Sequence, residues 1–478
     1  MEFSEYDTYD ATALAALVRS GDVSANELLD IAIGRIESRD GDINAIVTKM
    51  YDEARASIAA GLPDGPFRGV PFSLKDLGLN YAGVPTTNGS RLFEAFTPQS
   101  DATLVARYRA AGLVILGKTN TPELGVAATT EPALHGPTRN PWSLSHSAGG
   151  SSGGAAAAVA AGYMPIAHAT DGGGSIRIPA ANCGLVGLKP TRGRNPVGPD
   201  IGEGMAGMSI GHCVSRTVRD AARLLDATAG AAPGDPYAAP PPARPFAEEV
   251  GATPGRLRIA FMTTDFEGGA VAAECVQAVE ATVSLLESLG HHVEEARPNV
   301  SDLSLTAAWR VIAAANLAVT TGARCDALGR SLRDDDIEPI TQAWLAETEK
   351  HTGADYLRTV MNMHRIGRRF GEFFETYDLI CTPTMGTPPI GLGEMSMQSN
   401  DLDQYFDFLF GTVAPFTAVF NQSGGAAISL PLHWSVENLP IGVQLGGALG
   451  CEPILIRVAS QLESARPWAD KRPAAYFD

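Results

Sequence analysis

Two serines stand inside two separate glycine clusters, and these are the residues whose types and spacing could do chemistry. Ser151 lies in the run GGSSGG (149–154), and Ser175 follows the run DGGG (171–174). Glycine permits backbone conformations in which successive N–H groups form a concavity that binds an anion. A serine at the rim of such a concavity suits acyl transfer, because a nucleophile then stands beside donors for an oxyanion. The pattern therefore predicts a catalytic site.

The alternative is that these runs are flexible linkers, since glycine and serine are typical of linkers. The neighbouring sequence favours the catalytic interpretation. Residues 155–161 form an alanine-rich, helix-forming run, and apolar residues follow Ser175 at Ile176, Ile178 and Leu185. A linker has no reason to be threaded through a hydrophobic core.

A lysine near the end of an apolar segment is the candidate base. Lys75 lies in GVPFSLKD (69–76), which predicts a short strand. Burial lowers the pKa of a lysine, and a neutral lysine can act as a general base toward a serine. A solvated surface charge is the alternative for Lys75. Lys118, at the end of LVILGK, is a competing buried lysine to which we assign a structural role.

Composition narrows the possible partners. The chain has 478 residues, enough for a large core, and a net charge of −18, which disfavours nucleic acid and anionic membranes as partners. The amino-terminal run MEFSEYDTYD has no apolar signal core, and no apolar run reaches transmembrane length. We therefore expect a cytoplasmic protein. The six cysteines lack C-x-x-C spacing and the nine histidines lack H-x-x-x-H spacing, so neither a metal nor another cofactor is expected.

The predicted elements alternate between helix and strand. Ser24 and Glu27 form a capping box before one helix, and we predict a second helix over 44–60. After a proline-rich run at 231–250, strands and helices alternate again up to a closing helix near 453–463. This alternation predicts an α/β fold, without giving the order of the strands.

Taken together and in this order, the three motifs around Lys75, Ser151 and Ser175 resemble the amidase signature family. The third motif reads DGGGSIRIP and is closed by CGLVGLKPT (183–191). The runs GKTNTPE, TTEP, TRNPW and VGLKPTRGR are similar to the nylon-oligomer branch, the 6-aminohexanoate cyclic-dimer hydrolases. The resemblance extends over nearly the whole chain.

The resemblance implies an α/β/α fold, with a large central mixed β-sheet covered by helices on both faces. It implies a single domain over 1–478. Its parts would be a helical layer at about 1–62, a signature core at about 63–230, a proline-rich linker at 231–254 and an α/β part at 255–478. A homodimer is left open.

Carried over residue by residue, the resemblance implies that Ser175 is the nucleophile, Lys75 the distal base and Ser151 the bridging serine. In the family the bridging serine follows a cis peptide bond. Lys75 would take a proton from Ser151, which takes one from Ser175 as it attacks the carbonyl. The donors implied for the oxyanion hole are the backbone N–H groups of Gly172, Gly173, Gly174 and Ser175.

Three further residues are expected to support this machinery. Asp171 and Arg177 flank the nucleophile, and we expect them to fix the glycine loop and help tune Lys75. Ser152 is expected to hydrogen-bond to the proton relay.

At two positions of the expected pocket, this chain carries a different residue type from the nylon-oligomer enzymes. Val126 stands where they carry an asparagine, and Ala313 stands near the position of their substrate-side cysteine. Both changes remove a polar group, so the resemblance implies amide hydrolysis without implying the cyclic dimer. The expected pocket lining comprises Val126, Trp309, Ala313, Asn316 and Phe416.

The expected function is hydrolysis of a carbon–nitrogen bond other than a peptide bond in a small-molecule amide, through a serine acyl-enzyme. The substrate would be a cyclic or linear aminohexanoate-type amide or an aryl amide. The alternatives are an ester or carbamate hydrolase on the same triad, and the amidase subunit of a tRNA-dependent amidotransferase, which needs partner subunits. A non-catalytic binding protein would have lost a triad residue, and all three are present.

Overall fold

The computed structural model describes residues 5–473, and thirteen strands lie within them. In chain order the strands are β1 (Ile46–Lys49), β2 (Pro71–Lys75), β3 (Val114–Thr119), β4 (Arg139–Asn140), β5 (Ser143–Ser147), β6 (Ile166–Asp171), β7 (Val186–Lys189), β8 (Ile210–Ser215), β9 (Arg258–Phe261), β10 (His292–Glu295), β11 (Leu379–Pro383), β12 (Ala427–Trp434) and β13 (Pro440–Gly446). Eight of them form one sheet in the order β10-β9-β11-β13-β12-β7-β8-β6. The first three of these pair in parallel and the rest pair antiparallel, so the sheet is mixed.

A smaller sheet carries the candidate base. Its order is β1-β3-β2, with β1 antiparallel and β2 parallel to β3. The backbone N–H of Lys75, the last residue of β2, donates to His168 Nδ1 on β6 over 3.2 Å. The end of β2 is thereby placed beside the edge strand of the large sheet.

Fourteen α-helices lie in the same described residues. They are α1 (Ala11–Ser20), α2 (Ala25–Ile43), α3 (Tyr51–Ala59), α4 (Thr103–Ala110), α5 (Gly153–Ala160), α6 (Arg177–Cys183), α7 (Val218–Thr228), α8 (Ala273–Ser288), α9 (Ala314–Leu328), α10 (Pro339–Ala346), α11 (Gly353–Phe373), α12 (Leu402–Phe408), α13 (Ala418–Ser423) and α14 (Glu452–Ala465). None of the helices between residues 5 and 473 has both the length and the apolar composition that crossing a bilayer requires.

Helices cover both faces of the large sheet. Alternate side chains of a strand point to opposite faces. On β6, Ile166 belongs to a core shared with α7, α8 and α14, whereas its neighbour Ala167 belongs to a core shared with α2 and α5. On β11, Ile380 packs in a third core with residues of α11 and α13. This confirms the predicted α/β fold with a covered, mixed central sheet.

The predicted helix over 44–60 is wrong in its first part. Asn44 ends α2 in a left-handed conformation, and β1 then pairs with β3 before α3 begins. A strand partner distant in sequence overrides local helix propensity here. The capping box of Ser24 and Glu27 is present as predicted.

The division of the chain into four parts stays a prediction. Strands from both sides of the proline-rich segment 231–254 pair in the large sheet. Within that segment the Phe246 side chain is fully buried, and Arg194 lies over its ring.

The start of α5 gives a testable constraint on the fold. A methyl group on Gly154 would lie 2.4 Å from Asn120 N, whereas one on Gly34 in α2 would meet nothing within 4 Å. We expect Gly154→Ala to lower the free energy of unfolding by about 1–3 kcal/mol through overpacking. The matched Gly34→Ala should raise it by about 0.5–1 kcal/mol, because alanine loses less backbone entropy in a helix. Unfolding midpoints followed by circular dichroism measure both, and an unchanged midpoint for Gly154→Ala contradicts the expectation.

Candidate active site

Strand β2 places the Lys75 side chain in the protein interior. All five residues of the strand are buried, and the Lys75 side chain is fully enclosed. Its Nζ lies 2.6 Å from Ser151 Oγ and 2.9 Å from Thr170 Oγ1. The structure thus brings Lys75 and Ser151 together within hydrogen-bond distance.

The environment of Lys75 favours the neutral amine. Burial lowers the pKa of Lys75 well below its ordinary value, because the charged form loses its hydration. The negative charge of Asp171 raises the pKa in part, but burial is the larger effect. A neutral lysine has a lone pair with which it can accept a proton.

The GGSSGG run is tightly packed. A methyl group on Gly150 would lie 2.3 Å from Thr129 O, and one on Gly153 would lie 2.4 Å from Thr130 Oγ1. The peptide bond between Gly150 and Ser151 is cis. The glycines therefore let the backbone pass close to its neighbours and hold Ser151 in place before α5 begins.

The second glycine cluster presents Ser175 between β6 and α6. Gly174 has a φ of +139°, a conformation that other residues rarely adopt. A methyl group there would also lie 2.4 Å from Thr417 Oγ1. Ser175 is half-buried and lines the same cavity as Ser151.

The Asp171 carboxylate holds the loop on both sides of Ser175. Its Oδ1 accepts from the Gly174 N–H over 2.7 Å, and its Oδ2 accepts from the Ile176 N–H over 3.2 Å. Arg177 donates from Nε and Nη2 to the same carboxylate, each over 2.9 Å. Burial alone would raise the pKa of Asp171, but the Arg177 charge and hydrogen bonds hold it at about 2.

Arg177 connects the loop to the C-terminal part of the chain. The guanidinium is fully buried and donates to Gln444 Oε1 over 2.7 Å, to Asn421 Oδ1 over 2.8 Å and to the Thr417 carbonyl over 2.9 Å. Sequence reasoning missed these partners. Their signal was a polar residue inside an apolar run, Asn421 in VFNQS and Gln444 in IGVQLGG.

One predicted oxyanion donor is corrected by the structure. The Gly174 N–H is used by Asp171, so it is not directed to a substrate. In the described part of the chain no acceptor receives the N–H groups of Gly172, Gly173 or Ser175. Three of the four predicted donors are thus available to a substrate oxygen.

Ser152 hydrogen-bonds to the backbone of Thr170 rather than, as expected, to one of the proposed relay residues. Its Oγ lies 3.3 Å from both the N and the O of Thr170. Thr170 in turn receives a hydrogen bond from Lys75 Nζ. Ser152 therefore fixes the strand that carries a partner of the lysine.

Ser151 and Ser175 open into a cavity of about 770 Å³, its open mouth included. Four of the five predicted lining residues are found there: Val126, Trp309, Ala313 and Asn316. The fifth is corrected. Phe416 is fully buried in the core beside Phe266, with 6.3 Å between the ring centroids, and does not line the cavity.

Aromatic side chains support the cavity wall. A methyl group on Gly173 would lie 2.4 Å from Trp309 Cη2, so the indole packs directly on the glycine loop. Trp344 Nε1 donates to the Trp309 carbonyl over 2.8 Å, and Tyr405 Oη donates to the Val126 carbonyl over 2.9 Å. The tryptophan and the loop carrying Val126 are thereby fixed in position.

The competing lysine has a structural environment. Lys118 Nζ lies 3.6 Å from Asp76 Oδ1 and donates to the Pro85 carbonyl over 2.7 Å. Lys118 does not line the cavity. Over residues 5–473, no cluster of three or more histidine, cysteine or acidic residues could hold a metal ion.

Residues 27–455 match the family model described as Amidase. The 6-aminohexanoate-cyclic-dimer hydrolase of Paenarthrobacter ureafaciens is 40% identical over 475 residues, covering 97% of this chain and 96% of that protein. The chain belongs to the amidase signature family. As expected for this family, it is an amidohydrolase acting on carbon–nitrogen bonds.

Solved structures of family members agree with this assignment. A structure of 6-aminohexanoate cyclic dimer hydrolase superposes with a TM-score of 0.94 at 38% identity and covers 98% of this chain and 99% of its own. A bacterial aryl acylamidase of the amidase signature family superposes with a TM-score of 0.87 at 28% identity and covers 98% of both chains. This amidase therefore shares its fold with a 6-aminohexanoate cyclic dimer hydrolase and with an aryl acylamidase.

The contact between Gly173 and Trp309 gives a prediction. Gly173→Ala forces the indole or the loop to move, and we expect kcat/KM for an amide to fall by about 10²-fold, because small misplacements at a reacting centre are costly. Gly172→Ala is the matched control, since its methyl group would lie 3.4 Å from Met205 Sδ, an ordinary contact. It should lose much less activity, and equal losses in the two variants contradict the expectation. Steady-state kinetics on an anilide measure both.

Proposed function

We propose that this enzyme hydrolyses uncharged small-molecule amides through an acyl-enzyme on Ser175, with Ser151 and Lys75 as the proton relay. The observation that carries the proposal is the 2.6 Å separation of Lys75 Nζ from the Oγ of Ser151, which lines the same cavity as Ser175. The preferred substrate is an aliphatic, aminohexanoate-type amide.

The mechanism follows from the positions of these groups. Neutral Lys75 accepts the proton of Ser151, and Ser151 accepts the proton of Ser175 as its oxygen attacks the amide carbon. The N–H groups of Gly172, Gly173 and Ser175 stabilise the oxyanion. The relay then returns the proton to the leaving nitrogen, the carbon–nitrogen bond breaks, and a water releases the acid by the same route.

The chemistry of the cavity supports an uncharged substrate. None of its lining residues is charged, and most are apolar, including Leu124, Ile178 and Leu317. Burying an unpaired charge in such a site is costly. A relative at 40% identity is named for a neutral cyclic diamide, which fits this environment. Linear amides match the same lining where their ends are uncharged.

An aryl amide is the second candidate, and one observation favours it. Trp309 and Phe410 line the cavity with their ring centroids 5.3 Å apart and an angle of 35° between the planes. Aromatic rings in this arrangement offer a face on which an aryl group can pack.

The amidotransferase alternative is not supported by the site. Glutamine carries a charged ammonium and a charged carboxylate, and the cavity lining supplies no side chain to pair with either. Ester and carbamate hydrolysis would use the same residues, so substrate tests must separate them from amide hydrolysis.

Product analysis by mass spectrometry tests the proposal. We expect the purified enzyme to open 6-aminohexanoate cyclic dimer to the linear dimer, and Ser175→Ala to lower the rate by at least about 10³-fold. Ser145→Ala, an exposed serine outside the cavity, is the matched control and should keep full activity. Anilide cleavage without ring opening selects the aryl-amide candidate. Activity that survives in Ser175→Ala overturns the assignment of the nucleophile.

The pH dependence tests the role of Lys75. Because the neutral amine is the active form, kcat/KM should rise with pH through the pKa of Lys75 and stay level above it. Burial lowers that pKa, so the rise should lie well below the ordinary lysine value of about 10.4. Lys75→Arg keeps a charge that cannot be lost and should be inactive at every pH. A rise centred on the ordinary lysine pKa, or an active Lys75→Arg, contradicts the proposal.

A further inference from the structure

A second cavity adjoins the one that holds Ser175. It measures about 1080 Å³ with its open mouth included, and the two cavities share lining residues, among them Thr170, Met205 and Ser209. Ser151 and Ser175 line the first cavity alone. The second cavity therefore adjoins the active-site cavity along these shared residues.

One helical face runs from the first cavity into the second. Ala313, which directly precedes α9, lines the first cavity, Asn316 and Leu317 of α9 line both, and Thr320 lines the second alone. Residues spaced by three, four and seven positions lie on the same face of a helix. This helical face therefore lines both cavities and gives a chain-like ligand one surface common to the two.

The second cavity lies on the lysine side of the site. Thr170 lines it and receives a hydrogen bond from Lys75 Nζ. His168 also lines it and accepts from the backbone N–H of Lys75. Thr170 lines both cavities, so the lysine that would supply the proton to Ser151 lies behind their shared wall. A leaving nitrogen that takes its proton from Ser151 is then directed toward this wall.

We propose that the second cavity binds the amine-side chain of an extended linear amide, while the acyl side occupies the first cavity. This rests on the proposed hydrolysis at Ser175 and names the part of the substrate that extends beyond it. Cleavage then leaves the acyl group on Ser175 Oγ and the released amine, protonated by the relay, in the second cavity.

The lining defines the chemistry of that chain. Leu79, Leu104 and Val197 line the second cavity, and none of its lining residues carries a fixed charge. This suits an uncharged run of methylene groups, because burying apolar surface away from water is favourable. An amine ending in a carboxylate or an ammonium would be disfavoured.

His168 adds one polar preference. Its Nδ1 accepts from Lys75 N–H, so in the neutral ring the proton is on Nε2. That Nε2 is buried and has no partner among the described residues. A buried donor without an acceptor is unfavourable, and a carbonyl oxygen on the amine-side chain, such as that of a second amide, would satisfy it.

Two series of amides test the proposal with the whole enzyme. In one series the acyl group is butanoyl and the amine side lengthens from methyl to octyl. In the other the amine is methylamine and the acyl side lengthens by the same steps. Thr320→Trp narrows the second cavity alone. Val319→Trp is the matched control, because Val319 is on the same helix, is 73% exposed and lines neither cavity.

We expect kcat/KM of the wild type to rise with amine-side length. Thr320→Trp should lower it by about tenfold or more for the octylamide, because several buried CH₂ groups lose their contacts. The methylamide should be hydrolysed as before by both variants, which shows that folding and the Ser175 chemistry are intact. Val319→Trp should leave both series unchanged.

Three outcomes overturn the inference. A loss confined to the acyl series would assign the second cavity to the acyl side. An equal loss for short and long amides in Thr320→Trp, or no loss for long ones, would remove the second cavity from substrate binding. If no amide in either series is hydrolysed by the wild type, the proposed function itself fails, and this result is distinct from the others.

Discussion

The buried ion pair of Asp171 and Arg177 is the interaction on which the rest of the site depends. A charge removed from water must be paired and hydrogen-bonded. Here the carboxylate of Asp171 and the guanidinium of Arg177, both fully buried, pair with each other. Asp171 uses its remaining acceptor capacity on the loop that presents Ser175. Arg177 uses its remaining donors on Thr417, Asn421 and Gln444. The position of Ser175 is thus fixed by Asp171 and Arg177 beside it in the chain and, through Arg177, by three residues of the C-terminal part.

The same ion pair influences the pKa of Lys75. Burial drives Lys75 toward the neutral form, while Asp171 partly opposes this. Because Arg177 neutralises Asp171 at short range, burial remains the larger effect on the lysine. The proposed base is thus a buried lysine that favours its neutral form, behind Ser151 and beside a cavity without charged lining residues. This environment suits the proposed proton transfer.

The glycines of the site are required by close packing rather than by backbone flexibility. Gly150, Gly153 and Gly154 each lie too near a neighbour to carry a side chain, and Gly173 supports the Trp309 ring. Each such contact fixes one part of the site relative to another: the start of α5 relative to the end of β3, or the loop before Ser175 relative to the cavity wall. The Trp309 ring therefore cannot shift without disturbing the loop that carries Ser175.

The sequence by itself determined the local features, because these depend on neighbouring residues. The capping box at Ser24 and several strands with apolar runs could be predicted in this way. The grouping of Lys75 with Ser151 and Ser175 came instead with the family resemblance, because these residues lie far apart in the chain. The mixed covered sheet came with the family resemblance, since alternation of elements gives the fold class but no strand order. Contacts between distant residues were decided only by the tertiary structure. They turned 46–49 into a strand, gave the Gly174 N–H to Asp171, placed Phe416 in the core instead of at the cavity, and brought Asn421 and Gln444 to Arg177. Such contacts join residues far apart in the chain, and no local pattern encodes which of several polar or aromatic side chains will meet.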